Sequence, residues 1–341
     1  MNRVTASASA RLLQCSGHVR LPWLRETSAA ASEGTRLHAI METMEGKPLE
    51  SEAMKAEPLA LRAWGELAAH LLHMGLEPVR VEHELACVLD TATRTGHRLT
   101  LTGPREYGVT RWHEVPGTID AVVHVQHVET GEAFPIIIDW KFGMEPVEPD
   151  SAQMRTLGAA YMASTFDPPA ELWVGIVQSN EAGTSVKLRT YSRDDLMAHV
   201  EMLGDALNEV HEGRMMLQRG PECRYCPAAN ACPSQLAAMS AIVAPGGPGP
   251  ITPERAGAIW SELKQAKKRL DAIEEECKRL AEASDGLPLP GGKRLVLVQR
   301  SRASIDAKAL EAIARGHGAS DGEIETCRKV TTYTTTQEIK A

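Results

Sequence analysis

No run of about 18 uninterrupted apolar residues occurs in the 341-residue chain, which excludes a bilayer-spanning helix. The opening residues, MNRVTASASARLLQC, lack the long apolar block of a secretion signal, so we expect a cytoplasmic protein with no membrane partner. A surplus of positive charge is also missing: 37 Lys and Arg stand against 45 Asp and Glu, for a formal net charge of −8. That excludes a surface coated in basic residues for nonspecific nucleic-acid binding, because phosphate contacts need Lys and Arg. A local basic groove remains compatible with it. A disulfide framework is not expected in a reducing compartment, so clustering among the seven cysteines points to metal or redox chemistry.

What is present is enough for a sizeable core: 43% of residues are hydrophobic, and the length exceeds one average domain. Helical spacing of Leu37, Ile40, Met41 and Met44 after a candidate N-cap, Ser32, predicts a helix over 32–44. A second helix is predicted over 58–74, with Leu61, Trp64, Leu67 and Leu71 on one stripe. Alternation and β-branched runs predict strands over 79–89, 117–127 and 134–140, then over 171–177 and 185–191 around the turn-rich SNEAGT. Helices are predicted over 151–165 and 193–213. The segment APGGPGP, 244–250, can sustain neither helix nor central strand, and divides the chain into a domain over 1–243 and a tail over 251–341. In that tail Ile259, Leu263, Leu270, Ile273, Cys277 and Leu280 form a heptad-like stripe on a charged helix over 253–283, a helical arm able to self-associate or meet a partner protein.

The most informative stretch is Gly117-Thr118-Ile119-Asp120, followed nineteen residues after that Asp by Asp139-Trp140-Lys141. Adjacent antiparallel strands can bring Asp120 and Asp139 side by side, where two carboxylates repel unless a hard divalent cation such as Mg²⁺ or Mn²⁺ sits between them. Lys141, two residues from Asp139, faces the same way on a strand. A cation, two acids and an ammonium are the parts that phosphodiester hydrolysis uses. An isolated D-x-K is more often a solvated ion pair. Farther on, Cys223-x-x-Cys226 and Cys232, with Pro227 and Pro233 behind two of them, have the spacing of soft-metal ligation. A fourth thiolate is available from Cys15 if the chain ends meet.

The pair G-x-I-D and I-I-I-D-W-K-F-G resembles motifs II and III of the PD-(D/E)XK nuclease superfamily, in particular its RecB-like branch. The resemblance implies an α/β fold with a mixed central sheet flanked by helices. It makes Asp120 and Asp139 metal ligands, Lys141 the catalytic lysine, and the Trp140 carbonyl a further ligand. Glu33-Gly34-Thr35-x-x-His38 resembles the G-x-x-x-H helix motif, which implies ligation by His38. Glu84, in VEHEL, corresponds loosely to a family glutamate, and Glu82 on the same face is its rival. Gln153 resembles the glutamine of Q-x-x-x-Y; Leu157 stands where tyrosine is expected, and Tyr161 lies one turn on. SASARLLQC resembles the N-terminal segment of iron–sulfur members, of the AddB and CRISPR-adaptation type, implying a 4Fe–4S cluster on Cys15, Cys223, Cys226 and Cys232. A zinc bound by four thiolates has the same sequence pattern. Arg11, Arg20, Arg25, Arg214, Arg219 and Arg224 would then stand near a phosphate-binding entrance, or be ordinary solvated arginines. The expected activity is Mg²⁺- or Mn²⁺-dependent hydrolysis of single-stranded or end-bearing DNA, as an exonuclease, in recombination, repair or phage genome processing. A recombinase or single-strand-binding protein is a candidate partner. The competing reading is a DNA-binding or assembly module that keeps the fold and cuts little. Cys87, Cys277 and Cys327 fit no ligand pattern and are expected to be packing or surface thiols.

Overall fold

The structure is a computed structural model that describes residues 2–23, 29–44, 51–101, 106–108, 110–243, 252–284, 286–290, 292–305 and 328–340. The stretch 244–250, Arg25 and Cys327 lie outside the described residues. The chain divides into two compact units, Met1–Ser240 and Ala241–Ala341.

In the first unit the elements run α1 (Ser9–Gln14), α2 (Ala29–Met41), α3 (Glu52–Lys55), α4 (Pro58–His73), β1 (Leu76–Asp90), β2 (Thr95–Arg98), β3 (Glu114–His127) and β4 (Ala133–Lys141). They continue through α5 (Ala152–Ala163), β5 (Glu171–Asn180), β6 (Gly183–Ser192), α6 (Arg193–His211) and α7 (Pro233–Val243). Six strands form one sheet in the order β2-β1-β3-β4-β5-β6; β4 and β5 are parallel and every other pair antiparallel. Helix α5 is the crossover that a parallel pair needs. This is the mixed α/β sheet flanked by helices that the sequence reading expected. Helix α2 starts at Ala29, so Ser32 lies inside its first turn and not at its cap. Helix α6 is closed by a capping box in which Ser192 and Asp195 satisfy each other's backbone N–H groups.

Two cores cover the faces of the sheet. One gathers α5, α6 and the N-terminal segment, with Val4, Leu12, Val19, Ile119, Ile137, Leu157, Ile176 and Leu203 buried together. The other packs α2–α4 through Met41, Trp64 and Leu67 on Val123, Ile136, Ile138 and Trp140. The N-terminal segment has no helical or strand periodicity, yet it is threaded into the first core. A Cβ on Gly117 would come within 2.7 Å of Ala6 and Leu157, so glycine there admits the segment. Gly17 donates its N–H to Met216 O at 2.9 Å, and a Cβ at this position would meet Leu217 Cδ2 at 2.6 Å. Ser16 Oγ accepts the Met216 N–H at 3.1 Å, which completes the seam between the two ends of the unit.

In the second unit α8 (Pro253–Ala283) is followed by a three-stranded antiparallel sheet, β7 (Leu287–Leu289), β8 (Lys293–Ile305) and β9 (Arg328–Lys340). The helix over 253–283 is where the sequence reading expected it; the three strands after it were not expected. On α8, Leu263, Leu270, Ile273 and Leu280 remain exposed. No helix among the described residues is long and apolar enough to cross a membrane.

Candidate active site

Strand pairing brings the two aspartates together. The antiparallel register of β3 and β4 includes Ala121 opposite Ile138, so the next pair along is Asp120 and Asp139. On the other side, β1 and β3 pair His83 with Ala121 and Leu85 with Ile119, which sets Glu84 opposite Asp120. Glu84 has φ 48°, in the left-handed region that non-glycine residues seldom adopt. Its consequence is visible in the packing. Val81 faces the α2–α4 core, whereas Leu85, Cys87 and Leu89 face the α5–α6 core; likewise Ile119 faces α5–α6 while Ala121 and Val123 face the opposite side. Both strands therefore reverse their alternation beside one another, and Asp120 sits at the reversal. A strained backbone of this kind costs on the order of 1–3 kcal/mol and persists only where its surroundings fix it.

Asp120 and Asp139 are 4% and 2% exposed. Carboxylates buried this deeply need partners. Asp120 Oδ2 accepts the Trp140 backbone N–H at 2.9 Å and lies 3.4 Å from His38 Nδ1. Helix α2 presents this histidine because the adjacent Leu37, with Met41 one turn on, is buried. Phe142 meets the imidazole edge-on, with centroids 5.6 Å apart. Asp139 Oδ1 accepts Gln153 Nε2 at 3.2 Å from the first turn of α5, and Oδ2 lies 2.7 Å from Lys141 Nζ. The lysine contact is an ion pair without hydrogen-bond alignment, so this buried oxygen has a cation beside it but no aligned donor. Two carboxylates, one of them with an oxygen of that kind, and an imidazole are a donor set suited to a hard divalent cation. Among the described residues no three His, Cys, Asp or Glu side chains are already drawn into a common metal-binding group.

His38, Asp120, Trp140, Asp139, Lys141 and Gln153 thus form one connected cluster. Tyr161 is not part of it. It lies eight residues beyond Gln153 on α5, about 12 Å along the helix axis at the usual rise. There it is buried in the core with the Arg98 guanidinium 5.9 Å from its ring, and burial pushes its phenol pKa up. Helix α5 is buried nearly all round, so an aromatic on it goes to the core. Glu82 is engaged elsewhere, by Arg80 at 2.7 Å and His124 at 2.7 Å. Behind the cluster, His199 on α6 braces α5. Thr156 donates its hydroxyl to Ala152 O at 2.8 Å and its oxygen lies 2.9 Å from His199 Nε2, so the ring N–H donates to the threonine. Burial, with help from Arg155, lowers the His199 pKa to about 4.

The second constellation lies at the seam. Cys15, Cys223, Cys226 and Cys232 are free thiols lining one small pocket together with Arg11, Gln14 and His18. Cys223 Sγ accepts the Gly220 N–H at 3.4 Å, and Cys15 Sγ lies 3.5 Å from the Met216 carbonyl oxygen. Burial raises the Cys226 pKa, and the neighbouring Cys223 and Cys15 add to the shift while Arg11 opposes it. Of the arginines, Arg20 is committed to structure: its guanidinium donates to Val210 O at 2.6 Å and His211 O at 3.2 Å, closing the end of α6. Arg214 pairs with Glu212, and Arg224 with Glu145 at 2.6 Å. Cys87 is a core thiol that burial raises in pKa, beside Ser164 Oγ at 3.7 Å. Sequence reasoning passed over His18 and His199, and only the spacing Cys15-x-x-His18 carried a signal.

No curated protein matches the chain. Among solved structures it is similar to SSO0001, at 13% identity over 68% of this chain and 87% of that one, with a TM-score of 0.31. It is also similar to a protein from Eubacterium rectale, provisionally described as an exonuclease, at 10% identity over 66% and 87% of the two chains, TM-score 0.33. The model of the PD-(D/E)XK nuclease superfamily matches residues 5–233, a span that holds every strand of the six-stranded sheet, the aspartate pair, Lys141 and the four seam cysteines. The chain belongs to the PD-(D/E)XK nuclease superfamily.

Proposed function

We propose that the chain is a Mg²⁺- or Mn²⁺-dependent DNA nuclease, acting as an exonuclease on single-stranded or end-bearing DNA in recombination, repair or phage genome processing. The observation that carries this reading is the connected cluster of Lys141, His38 and Gln153 around the buried Asp120 and Asp139, beside a reversal of alternation shared by two strands. His38, Asp120, Asp139 and the Trp140 carbonyl would hold the divalent cation, which supplies Lewis acidity toward water and phosphate when bound. Lys141 places its ammonium where negative charge grows on the phosphoryl oxygens. Gln153 fixes the rotamer of Asp139, and Glu84 brings a further carboxylate to the row across the sheet. Cys223, Cys226 and Cys232, with Cys15 as the fourth donor that the family resemblance implies, would hold a 4Fe–4S cluster, with zinc the alternative. Their convergence at the seam supports a stapling role. The 1–243 domain carries this chemistry, and 251–341 is an appended arm whose exposed α8 stripe suits a second copy of the chain.

Degradation of end-labelled single- and double-stranded DNA, with 5′ or 3′ ends blocked in turn, tests the reading on the full chain and on Asp139→Ala. We expect Mn²⁺-dependent loss of label from one unblocked end, abolished in the variant. Equal activity in both proteins rejects the site.

A further inference from the structure

Apart from the aspartate cluster and the cysteine seam, a polar cavity of about 230 Å³ lies between α5, the edge strand β6 and α6, lined by Arg155, Arg189, Tyr191, Asp195 and His199 among others. Two guanidinium groups converge there on one buried phenol ring. Arg155 and Arg189 lie 5.6 and 5.3 Å from the Tyr191 ring centroid, and Arg155 Nε donates to the phenol oxygen at 3.4 Å. Like charges brought this close repel unless an anion sits with them. Arg189 has Asp150 at 3.5 Å. The half-buried Arg155 has no carboxylate partner among the described residues, and its other guanidinium N–H groups make no hydrogen bond there. Asp195, the one acid in the lining, is committed to the cap of α6, where its Oδ2 accepts the Ser192 N–H at 3.1 Å and the Ser192 hydroxyl at 2.7 Å. The charge of Arg155 is felt across the cavity: after the Ser192 hydrogen bonds, Arg155 and Arg189 lower the Asp195 pKa, and after burial, Arg155 lowers that of His199.

Two cations exclude a metal ion as the occupant, and a guanidinium fork with free N–H groups matches the oxygens of a phosphate. The cavity also shares a face of the sheet with the aspartates. Arg189 pairs with Val174 and Val174 with Ile137, two residues before Asp139, and both apolar residues face the α5–α6 core. Two strand spacings across and two residues along put Arg189 about 12 Å from Asp139, main chain to main chain. The acids of the loop between β4 and α5 are already neutralised, Glu145 by Arg224, Glu148 by Lys187 and Asp150 by Arg189. We propose that Arg155, seconded by Arg189, holds a backbone phosphate of the DNA strand at a distance from the aspartate pair. The inference deepens the nuclease reading and rests on DNA as the substrate. Such a contact positions the strand without reading its bases.

The test measures binding of a labelled single-stranded oligonucleotide to the full-length protein by fluorescence anisotropy over a series of salt concentrations, in EDTA so that no strand is cut. Arg155→Gln should bind about tenfold more weakly, with the slope of log K against log salt shallower by about 0.7, the share of one single-strand phosphate contact. Arg155→Lys should keep the wild-type slope, which separates a lost phosphate contact from a folding defect. Arg98→Gln, which removes the guanidinium beside Tyr161 and outside the cavity, should match wild type. An unchanged slope in Arg155→Gln overturns the inference. Calorimetric titration with inorganic phosphate is the second arm: uptake that depends on Arg155 while DNA binding does not assigns the cavity to the free ion and overturns the inference as well. Wild type that shows the expected Arg155 dependence yet degrades no DNA with Mn²⁺ overturns the nuclease reading and leaves the phosphate site standing. Wild type that binds no DNA overturns both.

Discussion

His199 gives the most quantitative prediction, because its brace on α5 holds the helix that carries Gln153 to Asp139. Its pKa is lowered from 6.5 to about 4 by burial and by Arg155. Between those values the unfolded chain binds a proton that the folded chain refuses. The stabilisation is fully present above pH 6.5 and is lost as pH falls toward 4. The full difference is about 3 kcal/mol, of which about 2 kcal/mol is lost between pH 7 and pH 5. His18, also lowered to about 4 chiefly by burial, titrates over the same window, so wild type alone does not isolate one residue. The comparison with His199→Gln does, since glutamine keeps a donor for Thr156 and has no proton to gain. Urea denaturation at pH 7 and pH 5, followed by tryptophan fluorescence, should show the variant losing about 2 kcal/mol less than wild type over that interval. Parallel losses in the two proteins would refute the argument that the folded state keeps this imidazole neutral.

Three further outcomes follow from the geometry. Lys141→Met, which keeps the stem and removes the ammonium facing Asp139, should lower the single-turnover rate of DNA cleavage by about a hundredfold or more with little change in DNA affinity. Gly17→Val forces a side chain into Leu217 and the Met216 carbonyl, and should lower the thermal midpoint by several degrees, about 1–3 kcal/mol, with a parallel loss of any metal bound at the seam. Glu84→Gly relieves the positive φ while Glu84→Val aggravates it, so the valine variant should be less stable by about 1–3 kcal/mol; cleavage that falls in a fully folded glycine variant assigns the Glu84 carboxylate to the site.

Five of the six strands of the catalytic unit were legible because β-branched runs such as Ile136–Ile138 leave few alternatives, and the aspartate pair followed from their order; the short β2, Thr95–Arg98, has no such run and was missed. Asp120, Asp139 and Lys141 could be read because register carries their neighbourhood: two on paired strands, two at a spacing of two. The reversal at Glu84 and Asp120 could not, since it depends on one backbone dihedral that no residue type announces. Tyr161 was misplaced because helix spacing gives a face and not a height; its ring went to the nearest core. The N-terminal segment buries small residues, Ala6, Ala8 and Ser9, along with the widely spaced Val4, Leu12 and Val19, and together they carry no periodic signal. His18 lacked a second clue until the fold placed its ring against Trp23 and left its Nε2 buried without a hydrogen-bond partner. Strands β8 and β9 were within reach of sequence reasoning, in the run Leu295–Val298 and the threonines at 331–336, but they are short on the alternation that marks a half-buried strand.

The central claim is that Asp120 and Asp139 seat a divalent cation. Titrating Mn²⁺ into the full-length protein, with the sharp EPR signal of the free ion as readout, measures this directly. We expect saturable Mn²⁺ uptake in wild type that disappears in the Asp120→Asn/Asp139→Asn double variant while the circular dichroism spectrum is retained. Equal uptake by both proteins, or none by either, would contradict it.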